Sequence, residues 1–221
     1  MLAVIVILFL LEAYSAHMLS YPKYPEVKGC VNPFAVVKPV SKVQENWSGV
    51  HVSFKLATSR DFWKLAKPWD VDYSHVKVVK HTIEYNGEKI TMLAMGIPLK
   101  DGKHVIALYE FSKPVQGVRD IGYTLEMNNG LVKPEKVLIN EKVQDASCQH
   151  ECKSNSDCGF LGRCNYYCCK FNWAAATACC IACVDRSGEV NPVCLFAACP
   201  LCVYASCEEW GSYCSGWTPG P

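Results

Sequence analysis

The distribution of cysteine constrains this chain more than any other feature of its sequence. Fifteen of its 221 residues are cysteines; Cys30 stands alone, and the others all lie between Cys148 and Cys214. Oxidising compartments preserve disulfides, and small exported domains use them in place of a large core. An odd number leaves one thiol free, capped or bonded to another chain. We therefore expect a disulfide-stapled module after Cys148 and one unpaired cysteine, which could form an intermolecular disulfide.

The amino-terminal sequence indicates export. An apolar run over residues 2–11 is followed by small residues at Ser15 and Ala16, which is the layout of a secretory signal peptide. The run is too short to span a bilayer, and no later stretch supplies about twenty uninterrupted apolar residues. We predict a signal peptide over residues 1–16 and a secreted, extracellular protein with no membrane partner. An uncleaved anchor is the alternative.

Charge and motifs exclude several classes of function. The net charge is +1, and no basic stripe or recognition motif points to nucleic acid. The chain lacks G-x-S-x-G and H-E-x-x-H, and no pair of carboxylates shares an element. His51, His81 and His104 fall in predicted strands, where we interpret them as satisfied face residues and not as metal ligands. The sequence thus predicts a non-catalytic protein without cofactor or metal.

The region before the cysteine cluster is expected to be all-β. Val50 to Leu56 alternates with the period of a half-buried strand. Asn86-Gly87 and Asp101-Gly102 each separate two β-rich runs, and both dipeptides favour tight hairpin turns. A further hairpin is expected around Asn129-Gly130. The prediction is a mainly β chain, in which residues 25–148 form an antiparallel immunoglobulin-like β-sandwich.

Short segments of this region resemble a family 2 carbohydrate-binding module. The shared layout begins with a cysteine and an aromatic residue (Cys30, Phe34) and an Asn-x-Trp-x-Gly-like element entering a strand (Asn46 to Gly49). Asp61 to Leu65 resembles the strand that carries the family's buried tryptophan, so Trp63 is assigned to the core. Lys133-Pro134 and Cys148 resemble the last strand and the closing cysteine.

The resemblance implies a partner for the solitary cysteine. The terminal cysteines of the family bond to each other across the ends of the sandwich, which would pair Cys30 with Cys148. Closing a loop of about a hundred residues stabilises a fold by about 4 to 5 kcal/mol in the chain-entropy model. The alternative is that Cys30 joins the later cysteine cluster or another chain.

The resemblance also implies a polysaccharide ligand, because the family stacks three tryptophans on cellulose or chitin. Only Trp47 matches; the other two positions fall near Lys80 and Met95. Trp69, with Tyr73 near it, could supply a substitute platform or could be a packed aromatic. Asn46 also begins an N-glycosylation sequon, Asn46-Trp47-Ser48, and a glycan there would crowd Trp47.

The region 149–221 reads as a cysteine-rich, disulfide-stapled module. Its first part, QHECKSNSDCGFLGRCNYYCC, has turns at Gly159 and Gly162 and vaguely resembles hevein-like and knottin-like domains. Two Cys-x-x-Cys pairs, starting at Cys180 and Cys199, have the spacing of zinc or redox sites. Export favours structural disulfides instead. The alanine-rich stretch around Cys179 predicts a short helix.

Aromatic residues at the end of the module leave two interpretations open. Trp210, Tyr213 and Trp217 could add a sugar-stacking surface or could pack in a core. Taken together, the patterns predict a secreted, non-catalytic protein that binds an extracellular polysaccharide such as cellulose or chitin. The alternative is a secreted cysteine-rich effector, toxin or protease-inhibitor-like protein on an unrelated β-sandwich.

Overall fold

The computed structural model describes residues 30–45, 49–128 and 131–216. The predicted signal peptide, Asn46 with Trp47, the turn at Asn129-Gly130 and Trp217 lie outside these residues. Within them the chain is mainly β, with an antiparallel sheet followed by a disulfide-rich region, as predicted. None of the helices in the described residues is long and apolar enough to cross a bilayer.

Seven strands form a single antiparallel sheet in which each strand pairs with the next along the chain. They are β1 (Lys38–Gln44), β2 (Lys77–Tyr85), β3 (Glu88–Pro98), β4 (His104–Val115), β5 (Val118–Asn128), β6 (Leu131–Ile139) and β7 (Lys142–Asp145). All seven strands therefore lie in one sheet with a meander topology, whereas the sequence predicted a sandwich of two sheets.

The predicted hairpins at Asn86-Gly87 and Asp101-Gly102 are confirmed. Asn86 and Gly87 take φ values of 52° and 78° between β2 and β3, and Gly102 takes 67° between β3 and β4. Such left-handed conformations join antiparallel strands tightly and favour Asn and Gly. The third predicted hairpin is confirmed by its strands, since β5 and β6 pair up to Asn128 and Leu131.

Alternate residues of the central strands are buried on opposite faces of the sheet. On β4, Ile106 and Leu108 belong to one apolar cluster, whereas Ala107 and Tyr109 belong to another. All four are at most 3% exposed. Because successive side chains of a strand point to opposite faces, both faces of this sheet must be covered.

Helices cover the first face. They are α2 (Gly49–Thr58) and α3 (Arg60–Leu65), which follow the short helix α1 (Pro33–Val36) and strand β1. The strand predicted over Val50 to Leu56 is therefore wrong. The same residues also satisfy a helical period, because Val52 and Leu56 are four apart and both are buried against the sheet. Leu65 of α3 packs over Gly122, where an added Cβ would lie 2.4 Å from the Leu65 Cδ1 atom.

The cysteine-rich module covers the second face. It contains an antiparallel strand pair, β8 (Gly162–Phe171) and β9 (Cys207–Gly216), and three helices, α4 (Trp173–Cys179), α5 (Pro192–Ala198) and α6 (Pro200–Ala205). Helix α4 confirms the helix predicted around Cys179. The 3-10 turns Asn155–Cys158 and Ile181–Cys183 complete the module.

Seven disulfides staple the module internally. They are Cys148–Cys169, Cys152–Cys164, Cys158–Cys214, Cys168–Cys207, Cys179–Cys202, Cys180–Cys199 and Cys183–Cys194. All four cysteines of the two Cys-x-x-Cys pairs form disulfides, and none of them is bonded to the other cysteine of its own pair.

The predicted bond between Cys30 and Cys148 is wrong. Cys148 is bonded to Cys169, with Cα atoms 5.3 Å apart, and Cys30 is a free thiol. Cys148 leads directly from β7 into the module, where the end of β8 brings Cys169 beside it. Residue 31 instead pairs with Asn165 near the start of β8. Cys30 therefore lies beside the start of β8, whereas Cys148 lies beside its end.

The sheet and the module share one hydrophobic core. Phe34 stacks on Tyr204 of α6 with ring centroids 3.7 Å apart, and it contacts Tyr109 of β4 edge-on at 5.2 Å. Tyr123 of β5 meets Phe171 of β8 at 6.0 Å. The boundary predicted at residue 148 therefore separates two stretches of sequence that belong to the same buried cluster.

Candidate functional site

Two tryptophans form an exposed aromatic pair on the helical side of the sheet. Trp63 of α3 is 41% exposed, and Trp69 of the 3-10 turn Pro68–Asp70 is 60% exposed. Their ring centroids are 5.7 Å apart and their planes meet at 85°, an edge-to-face contact. The Trp63 Nε1 atom also donates a hydrogen bond to the Ala57 carbonyl at 3.0 Å. Both rings are thus held in place while part of each stays accessible.

The period of α3 explains why Trp63 faces outward. The Ser59 hydroxyl caps the helix by accepting a hydrogen bond from the Phe62 amide at 3.2 Å. Phe62 and Leu65, three residues apart, are then buried on the sheet, and Trp63 lies off that inner face. The assignment of Trp63 to the core is therefore wrong, because it assumed a strand where the chain forms a helix.

Trp69 is exposed on a turn whose backbone is held by hydrogen bonds from two nearby side chains. The Lys100 ammonium donates to the Trp69 carbonyl at 2.8 Å, and the Tyr73 hydroxyl donates to the Pro68 carbonyl at 2.8 Å. Tyr73 is half-buried, packs on the core beneath the helices, and burial raises its pKa. Tyr73 thus braces the turn from below while Trp69 presents its ring to solvent.

A cleft of about 380 Å³ opens beside Trp63. Its apolar lining includes Leu65 and Leu99, and its polar lining comprises Lys64, Lys67, Asp70, His104, Thr124, Glu135 and Lys136. The cleft therefore combines an aromatic wall with several charged hydrogen-bonding groups.

His104 links two carboxylates at the rim of this cleft. Its Nδ1 atom lies 2.5 Å from the Asp101 Oδ2 atom, and its Nε2 atom lies 3.5 Å from the Glu135 Oε2 atom. Although burial opposes the change, hydrogen bonds from His104 and from the Lys103 amide lower the pKa of Asp101. Of these three residues, His104 and Glu135 line the cleft, where the carboxylate of Glu135 can accept hydrogen bonds from hydroxyls.

The side chains that could bind a metal ion together lie away from this cleft. Among the residues that the structure describes, every group of three or more potential ligands within 4.8 Å consists of cysteines. All of these cysteines except Cys30 are bonded in disulfides. The other histidines predicted to be face residues include His81, which is buried and hydrogen-bonded to the Ala197 carbonyl at 2.8 Å.

The remaining predicted aromatics fall into two groups. Trp47, with its sequon at Asn46, and Trp217 lie outside the described residues. Tyr213 is fully buried and donates to the Lys142 carbonyl at 3.1 Å, and Trp210 is half-buried against the shared core. Packing therefore accounts for Tyr213. Met95, near one of the tryptophan positions of the resembled family, is also buried.

One exposed feature has no counterpart among the predicted sites. Phe160 is 97% exposed and Leu161 62% exposed, at a turn where Gly159 and Leu161 both have positive φ values of 71° and 64°. The sequence predicted the turn from Gly159 and Gly162, but not its apolar tip. The signal that could have revealed it is the Phe-Leu pair between two glycines in a polar segment.

No protein-family model, curated protein or solved structure matches the chain.

Proposed function

We propose that the protein is a secreted, non-catalytic polysaccharide-binding protein whose contact surface is the Trp63–Trp69 pair and the adjoining cleft. The observation that carries the proposal is the exposure of two braced indoles beside charged and polar groups. Indole faces stack on the C–H faces of sugars with a large apolar area and little loss of rotamer entropy. The hydrogen-bonding groups of the cleft would meet the sugar hydroxyls.

The angle between the rings favours a single polysaccharide chain over a crystal face. A flat crystalline surface needs coplanar platforms, whereas Trp63 and Trp69 meet at 85°. One ring can stack on a sugar unit while the other flanks the polysaccharide chain. The cleft beside Trp63 can then hold a neighbouring sugar unit of the same chain. The ligand class we propose is therefore an accessible chain of cellulose or chitin.

Seven disulfides indicate an oxidising, extracellular-type environment. The resemblance to family 2 modules, including their immunoglobulin-like sandwich, remains a prediction, and the single sheet in chain order lends it no support. The proposal therefore depends on the two tryptophans and the cleft.

Retention on polysaccharides tests this proposal. We expect the protein to bind amorphous cellulose or chitin more tightly than the crystalline forms. By analogy with aromatic stacking on nucleobases, losing one stacked indole costs about 1 to 3 kcal/mol, so Trp69→Ala should weaken retention by about fivefold to a hundredfold. Trp63→Ala should weaken it similarly.

Phe160→Ala is the control, because Phe160 is an exposed aromatic residue, 97% exposed, that lies on the module and away from the tryptophan pair. Phe160→Ala should leave retention unchanged, and both Phe160→Ala and Trp69→Ala should keep the wild-type melting temperature within a few degrees. Trp63→Ala should lower the melting temperature, because Trp63 is only 41% exposed and its indole donates a hydrogen bond to the Ala57 carbonyl; its retention is therefore compared at a temperature where the variant is folded. If Trp69→Ala is retained as strongly as the wild type on every polysaccharide that the wild type binds, the Trp63–Trp69 pair is not part of the binding site.

The second candidate function is a secreted effector, toxin or inhibitor that binds a protein. The observation that favours it is the Phe160–Leu161 tip, which a nearby disulfide, Cys158–Cys214, holds in place. Rigid exposed aromatics are typical anchors of protein interfaces. This candidate predicts that Phe160→Ala abolishes partner binding and that Trp69→Ala does not.

A further inference from the structure

Three sulfur atoms meet where the amino-terminal segment contacts the module. Cys30 is the free cysteine of the described residues, and its Sγ atom and those of Cys152 and Cys164 all lie within 4.8 Å of one another. Cys152 and Cys164 are bonded to each other. A thiol therefore lies against a disulfide with which it can react.

Backbone pairing holds Cys30 in this position. The Val31 amide donates to the Cys164 carbonyl at 2.8 Å, and the Tyr166 amide donates to the Val31 carbonyl at 2.9 Å. Val31 thus pairs in parallel with Asn165 at the edge of β8. Laterally adjacent residues of paired strands lie about 5 Å apart, within the range of Cα separations that a disulfide accepts. Cys30 and Cys164 can consequently bond without a large movement of either backbone.

We propose that Cys30 and the Cys152–Cys164 disulfide form an internal thiol–disulfide exchange site. The Cys30 thiol loses its proton to solvent, and the thiolate attacks the Cys164 sulfur. A bond forms between Cys30 and Cys164, and the bond between Cys152 and Cys164 breaks. The electron pair leaves with the Cys152 sulfur, which takes up a proton from solvent. One thiol and one disulfide are present before and after, so no oxidant is needed.

The exchange creates two covalent isomers of the same protein. In the first, residues 30–32 have no covalent bond to β8 and are held by backbone hydrogen bonds and by the burial of Val31, and Cys152 is bonded to the strand. In the second, a covalent bond ties the amino-terminal segment to β8, and the Cys152 side chain loses its covalent bond to that strand, while the Ser212 hydroxyl still donates to the Cys152 carbonyl at 2.6 Å. The odd cysteine therefore does not need a second chain as its partner, and this inference does not depend on polysaccharide binding.

The surroundings of Cys30 make this exchange slow at neutral pH. Burial, together with the charge of Asp157 on the adjacent 3-10 turn, raises the pKa of the Cys30 thiol to about 11. Tyr166 of β8 also faces Cys30, and its pKa is raised by burial and by Cys30. Only the thiolate reacts, and its fraction rises about tenfold per pH unit below the pKa. The exchange should accelerate about a hundredfold between pH 7 and pH 9.

Peptide mapping of the full-length secreted protein tests the exchange. The protein is incubated at pH 6, 7, 8, 9 and 10, acidified, and alkylated in denaturant, then digested with trypsin without reductant. Cys30 lies alone in the tryptic peptide of residues 29–42, because Lys38 precedes a proline. The first isomer releases this peptide alkylated. The second retains it on the disulfide-linked module, bonded to Cys164, and carries the alkyl group on Cys152.

We expect the retained fraction to grow with time, faster at higher pH, with Cys152 as the newly alkylated residue. Cys30→Ser is the matched control, and it should release the peptide at every pH with no alkylated cysteine elsewhere. If Cys30 stays the alkylated residue at every pH, or if it is found bonded to Cys152, the proposal is wrong.

A second variant tests the geometry without relying on the rate. In Cys152→Ser, Cys164 loses its partner and Cys30 lies beside it. When this variant is folded with glutathione disulfide as the oxidant, the Cys30 and Cys164 thiols should be oxidised to a disulfide as glutathione is reduced, and the folded monomer should contain no free thiol. Two alkylated cysteines in that monomer would overturn the proposed reach of Cys30.

Discussion

At the scale of single residues, Asp120 shows how burial within the sheet changes an ionisation. It lies on β5 directly opposite Glu110 of β4. Burial, followed by the negative charges of Asp61 and Glu110, raises the pKa of Asp120 from 3.8 to about 7. Between these two values the folded protein holds a proton that the unfolded chain has lost. The free energy of unfolding therefore falls as pH rises from about 4 to 7 and stays lower above that window.

Replacing the carboxylate should remove this pH dependence. We expect Asp120→Asn to raise the free energy of unfolding at pH 8 by up to about 4 kcal/mol, since one pKa unit corresponds to about 1.4 kcal/mol. At pH 4 the effect should be small, because Asp120 is then protonated. Urea unfolding at both pH values measures the difference, and Asp145→Asn, at an exposed aspartate of β7, is the control. An equal change at pH 4 and pH 8 would contradict the assignment.

At the scale of elements, α5 approaches the sheet closely because β3 contains a glycine. A Cβ added to Gly96 would lie 2.2 Å from the Val193 carbonyl oxygen and 2.9 Å from its carbonyl carbon. These are backbone atoms of the helix, which cannot rotate away as a side chain can. The helix must therefore shift if this position carries any larger residue.

Gly96→Ala should consequently destabilise the protein by about 1 to 3 kcal/mol or more, the usual cost of overpacking. The denaturation midpoint in guanidinium chloride measures it. Gly216→Ala, where an added Cβ meets nothing within 4 Å, should leave the midpoint unchanged. A wild-type midpoint for Gly96→Ala would mean that α5 does not contact the sheet so closely.

At the scale of the whole molecule, the module acts as the cover of one sheet face. Tyr109, Phe111 and Tyr123 are buried on that face, and Phe171 and Tyr204 of the module pack against them. Each structural disulfide contributes about 2 to 5 kcal/mol in small secreted domains. Reduction should therefore unfold the module and expose the apolar face of the sheet.

We expect the reduced protein to bind an apolar dye and to associate, as measured by dye fluorescence and size-exclusion chromatography. A chain ending at residue 147 should behave in the same way, because it lacks the same cover. If that shortened chain is monomeric and melts cooperatively, the two regions are independent domains, as the sequence boundary suggested.

The sequence by itself determined the features that depend on neighbouring residues. The dipeptides Asn86-Gly87 and Asp101-Gly102 located two hairpins, since a tight turn is set by local φ values. Clustered cysteines identified the stapled module, and the alanine-rich stretch at Cys179 identified its helix. Trp69 was recognised as a candidate platform, and it is exposed.

Only the tertiary structure decided the features that depend on distant residues. Val52 and Leu56 fit both a strand and a helix, and the helix forms where the open face of the sheet needs an apolar cover. Because this region is helical, Trp63 lies on the outer side of α3 and forms the exposed pair with Trp69, although it was expected in the core. The partner of Cys148 was settled in the same way, because a disulfide depends on which strand ends meet in space and not on which cysteines bracket a region.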